Sequence, residues 1–173
     1  MKLYMACIGG AIEGLSIEAH DVCFLAAEEL SSAAEMAKAR WPGKPASAHL
    51  DTLREVSHVG GFEIRLAETP PSSPAMAEDR LFFVNIGFYR QGAFGEFHDV
   101  SLVVEKSAAL ASARVLQTAG RDLFLAHKDN LWAVDNVQGV SHVDGYSVVV
   151  QPSDSSIRDS LFYGPSLIAW NEQ

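Results

Sequence analysis

The chain is short of cysteine, of clustered basic charge and of long apolar runs, and each shortage excludes a class of function. Cys7 and Cys23 are the only thiols in 173 residues. Two are too few for a disulfide framework, so they read as buried thiols in a reducing compartment. Thirteen Lys and Arg stand scattered against 22 Asp and Glu, for a formal charge of −9. Phosphate backbones are held by clustered Lys and Arg that release counterions, so nucleic acid is not expected as a partner. No apolar run approaches the roughly 20 residues that cross a bilayer, and MKLYMACIGG reaches glycine too early for a secretory signal. The expectation is a cytoplasmic chain with no membrane partner. GxGxxG and Walker-type loops are also missing, and with them any signal for a nucleotide. What is present is 48% hydrophobic and 20% charged residues, enough to bury a core.

A repeat organises this material. KLYMACIGG from Lys2 realigns on RLFFVNIGF from Arg80, a shift of 80 − 2 = 78 residues. In the same register EAHDV from Glu18 meets EFHDV from Glu96, and HLDTL from His49 meets HKDNL from His127. A six-residue insertion in the second copy, including Asn136 to Gly139, then brings VSHVGGF from Val56 onto VSHVDGY from Val140. The organisation expected is a first repeat over residues 1–66, a Pro/Ser-rich linker over 67–79, a second repeat over 80–151 and a tail over 152–173.

Each copy reads as ββαββ. Residues 3–8 and 81–86 are short apolar runs, expected as strands stopped by Gly9 and Gly87. The second strand follows His-Asp in each copy. Ser32 and Glu35 have capping-box spacing before an alanine-rich helix to Trp41, and Ser107 opens a helix expected to stop at Gly120. Gly60-Gly61 and Asp144-Gly145 are two-residue hairpin turns, which need positive φ at both central positions. The fold class expected is α+β, two tandem ββαββ repeats packed face to face as a pseudo-twofold unit. Fusing the copies helps because a unit of some 65 residues buries only about 60% of its unfolded surface.

All six histidines pair off across the repeat. His58 and His142 fall on the polar face of the hairpins and read as surface residues. The other two pairs sit in Glu18-x-His20-Asp21 with His49-x-Asp51, and Glu96-x-His98-Asp99 with His127-x-Asp129. Residues two apart on extended chain share a face, so Glu18 is expected to orient His20 and Asp51 to orient His49. Imidazole and carboxylate donors in this mixture suit a divalent transition metal. The candidate ligands are therefore Glu18, His20, His49, Asp51, Glu96, His98, His127 and Asp129. The competing reading is structural, each side chain satisfying backbone at a strand entrance. No organic cofactor is expected. Cys23 lies in an apolar strand, where burial disfavours the thiolate a nucleophile needs.

Through KLYMACIGG, EAHDV, HLDTLREV and VSHVGGF the chain resembles the bacterial domain-of-unknown-function family numbered 1543, whose members carry one or two copies of the domain. The resemblance implies a bacterial source and the domain boundaries above, but no activity. Two functional classes follow from the residues: a non-catalytic binding or assembly module, and a metal-dependent, hydrolase-like enzyme using the Glu-x-His-Asp and His-x-Asp motifs. The tail carries Phe162, Tyr163, Leu167, Ile168 and Trp170, an apolar density expected to cover its own chain or to join a homo-oligomer.

Overall fold

Alternation of apolar side chains sets the architecture. In the computed structural model, which describes residues 1–68, 79–89, 92–122, 132–154 and 161–163, β1 (Lys2–Gly10) pairs antiparallel with β2 (Ala19–Ala27). Its other edge pairs with β3 (His49–Glu55), and β11 (Leu161–Tyr163) adds to β3, giving the order β11-β3-β1-β2. The second half repeats the plan with β6 (Arg80–Tyr89) between β7 (Glu96–Glu105) and β8 (Trp132–Gly139). One face of the first sheet, with Tyr4, Ala6, Ile8 and Leu25, packs on α1 (Leu30–Ala39) through Ala33 and Ala37. Alanine one turn apart lets a helix lie close to a sheet. Similarly Phe82, Val84 and Ile86 pack on α2 (Ala108–Asp122) through Ala111 and Val115.

The opposite faces share one core. Leu3, Ala26, Leu81, Phe83 and Val104 belong to a single apolar cluster, and the rings of Phe24 and Phe83 meet edge to face at 5.9 Å. A third sheet completes it, in the order β4-β5-β10-β9, from β4 (His58–Val59), β5 (Phe62–Ala67), β9 (His142–Val143) and β10 (Tyr146–Pro152). Arg65 pairs with Val149, and the flanking pairs Ala67–Ser147 and Glu63–Gln151 exchange with one another when 84 is added or subtracted, as 63 + 84 = 147 and 67 + 84 = 151. That register is symmetric about the Arg65–Val149 pair. The chain is thus α+β, with strands of both halves sharing one sheet.

The turns have the chemistry their sequence demands. Gly60, Gly61, Asp144 and Gly145 all have positive φ, and His58 pairs with Glu63 as Val59 does with Phe62. Other local expectations are corrected. The strands run through Gly9 and Gly87 instead of stopping there. Ser32 lies inside α1, whose N-cap is Glu29, so no capping box forms. Ser107 Oγ does accept the N–H of Leu110, but α2 continues past Gly120 to Asp122. Each half also has one more strand than expected, because β3 and β4 are separate elements. The linker falls mostly outside the described residues. Of the tail, Leu161–Tyr163 pairs with β3 of its own chain, while residues 164–173 lie outside. No helix among the described residues is long and apolar enough to cross a membrane.

Candidate metal centre

Strand pairing brings the first-half motifs together. Gly9 pairs with His20 on one side and with His49 on the other, so both imidazoles project from the face that carries Leu3 and Met5. A Cβ on Gly9 would lie 2.6 Å from His49 Nε2 and 2.7 Å from the His20 ring. Glycine is needed here because two side chains occupy the space above it, and its φ is ordinary. The pairing of β1 with β3 shifts between Cys7 and Ile8, leaving Asp51 as the extra residue of a bulge, and bulges re-aim side chains. Asp51 reaches both rings, with Oδ2 3.3 Å from His20 Nε2 and Oδ1 3.2 Å from His49 Nε2.

Glu18 Oε1 lies 3.3 Å from His49 Nδ1, and the Ser47 carbonyl oxygen lies at the same distance from that nitrogen. The expected partnership of Glu18 with His20 and Asp51 with His49 is therefore only half right. Glu18 serves the neighbouring strand's histidine, and Asp51 bridges the two. One ligand atom from each of Glu18, His20 and His49 lies within 4.8 Å of the others. Two imidazoles and a carboxylate so disposed suit a divalent first-row transition metal, with Asp51 as the group orienting both rings. The His20 and Glu18 side chains are about half exposed, at 49% and 47%, so an ion could reach them. Cys7 donates its thiol to Asp51 at 3.7 Å. Burial first, and then the Asp51 charge, push its pKa up to about 11, so in the ion-free chain it is a neutral thiol at neutral pH.

The second half carries a related but poorer arrangement. A Cβ on Gly87 would meet Asp135 Oδ2 at 2.5 Å and Glu96 Oε1 at 2.7 Å, and His98 Nε2 lies 3.3 Å from Asp135 Oδ2. The strand opposite Gly87 offers Ala133 where the strand opposite Gly9 offers His49. The bulge recurs between Asn85 and Ile86, placing Asp135 as Asp51 is placed. The offset of 84 therefore already applies at Asp135, and the insertion precedes β8 instead of including Asn136 to Gly139. His127 and Asp129, the expected partners, lie outside the described residues. Asp135 was missed because HKDNL imitates HLDTL six residues too early. Repeating the bulge, or matching WAVDNV to HLDT, would have found it.

One histidine of each cluster lines a cleft of about 460 Å³ between the facing sheets, with His20, Asp21 and Val22 on one side and His98 and Val100 on the other. Residues 15–66 match the model of a family described as Domain of Unknown Function (DUF1543). That segment holds Glu18, His20, His49 and Asp51, so the whole candidate centre except Gly9 and Cys7 lies within the DUF1543 match. A solved structure, that of a protein Il1583 from Idiomarina loihiensis, is similar over 91% of this chain and 90% of its own, with 28% identity and a TM-score of 0.64. Comparison with curated proteins finds no match.

Proposed function

We propose that the chain is a non-catalytic binding module made of two duplicated units, the first of which holds a divalent transition metal. The reading rests on one observation: Glu18, His20 and His49 converge over Gly9 with ligand atoms within 4.8 Å of one another. The duplication is supported by the recurrence of element order, bulge and turn, and by the symmetric β5–β10 register. By this reading the units span residues 1–66 and 80–151, and among the described residues the second has Ala133 where the first has His49. The protein works in a bacterial cytoplasm, with neither nucleic acid nor membrane as partner, and any homo-oligomer forms through the C-terminal tail.

Elemental analysis of protein purified without a metal-affinity tag tests the reading. About one equivalent of Zn, Mn, Fe or Co, lost in His20→Ala and His49→Ala and retained in His98→Ala, is the expected result. No metal above background after incubation with each ion, or equal loss in His98→Ala, would refute it. The alternative is a metal-dependent, hydrolase-like enzyme, favoured by the His98–Asp135 pair in the same cleft as His20. Turnover of ester, phosphoester or amide substrates by the metal-loaded chain, abolished in both His20→Ala and His98→Ala, would establish it.

A further inference from the structure

We infer that the cleft between the two sheets binds a small organic monoanion that chelates the ion held by the first half. The inference rests on the metal reading above and adds to it the ligand class and the wall residues. The cleft, about 460 Å³, lies within the range of about 300–1,000 Å³ usual for small-molecule sites. Its walls are formed by corresponding positions of the halves, offset by 78: Cys7 and Asn85, His20 and His98, Val22 and Val100. Three protein donors leave an ion with coordination positions to fill. His20 belongs both to the ligand group and to the wall, so a molecule in the cleft lies beside those positions.

The wall chemistry narrows the occupant. No Lys or Arg lines the cleft among the described residues, so a phosphate ester or other multiply charged anion would enter without a neutralising side chain. A divalent ion held by Glu18 keeps one positive charge, which a monoanion matches, while the Asp21 carboxylate on the wall disfavours any further negative charge. The polar groups on the far wall, Asn136 and Gln138 beside His98, supply amide and imidazole hydrogen bonds to oxygen or nitrogen atoms of such a ligand, while Val22, Val100 and Phe83 provide apolar surface. Asn85 Oδ1 is buried there without a hydrogen-bond partner among the described residues, where an apolar side chain would avoid that cost.

The test uses Co(II) as the ion and acetohydroxamate, a small chelating monoanion, as the probe. Co(II) uptake is measured first by equilibrium dialysis, and the visible spectrum of the loaded full-length chain is then titrated with acetohydroxamate. The expected result is a saturable spectral change in the native chain that weakens at least tenfold in Val100→Trp and Gln138→Trp, both of which narrow the cleft away from the ion. Stoichiometric Co(II) uptake by each variant shows that its fold is intact, and either variant suffices. Full uptake by the native chain with no response to the probe would overturn the inference and leave the metal reading standing. So would an unchanged response in a variant that takes up Co(II). Failure of the native chain to take up Co(II) would overturn both.

Discussion

Asp144 accepts the backbone N–H of Ala26 at 2.9 Å, so the turn of the second half's hairpin closes on the edge of the first half's sheet. Its other carboxylate oxygen meets Arg40, which also donates to the carbonyl of Phe24. The residue has φ 50°, a conformation that Asp tolerates better than most. Asp144→Ala leaves the Ala26 N–H unpaired and should cost about 1–3 kcal/mol in urea unfolding. Asp144→Gly loses the same ties but relieves the backbone, and should be more stable than the Ala variant by about 1 kcal/mol. Equal stability of the native chain and both variants would show that the hairpin does not hold the sheets together.

The histidine variants separate structural from ligating roles through their dependence on metal. His20 is half exposed and its pairing with Asp51 is screened, so with chelator present His20→Ala should change stability by less than about 1 kcal/mol. With the ion in excess the native chain gains stability by mass action, about 2.7 kcal/mol at a hundred times the Kd, and His20→Ala and His49→Ala should forfeit that gain. His142→Ala, on an exposed hairpin position, should melt like the native chain in both conditions. Thermal melts with chelator and with Zn decide the matter.

Gly9→Ala and Gly87→Ala place the same methyl group at corresponding positions with different consequences. The first drives a Cβ into both imidazoles and should weaken metal binding at least tenfold, since ring positions set by a few tenths of an ångström are displaced by more. The second meets Asp135 and Glu96 and should leave metal stoichiometry unchanged. Metal titrations of both variants check this asymmetry, and equal weakening would contradict it.

Alkaline pH should destabilise the fold through its thiols. Burial raises Cys7 and Cys23 from 9.0 to about 11, so between pH 9 and 11 the unfolded chain releases these protons while the native chain keeps them. Stability therefore falls as pH rises through that window and is unaffected by these groups below pH 9. The double variant Cys7→Ala, Cys23→Ala should show a flatter stability profile from pH 9 to 11. Alkylation of the native protein at pH 7.5 should be slow for the same reason, since the neutral thiol is a poor nucleophile. A profile parallel to the native one would remove the thiols as its cause.

How much of this was legible depended on the range of the interaction concerned. The hairpins at Gly60-Gly61 and Asp144-Gly145 were readable because a two-residue turn leaves few backbone choices, and the register His58–Glu63 follows from it. The 78-residue spacing of His20 and His98 was legible, and the strands pair them with Gly9 and Gly87 in the same way. What sequence could not decide was which side chains meet. Glu18 turned out to serve His49, because two strands lie side by side across Gly9. A bulge moved Asp51 between the rings, and its recurrence made Asp135 the corresponding residue where HKDNL had pointed to Asp129. Local propensity and periodicity determine elements and their faces. Register, bulges and the sharing of one sheet by β5 and β10 come from pairings between residues as many as 90 positions apart, and only the folded chain chooses among them.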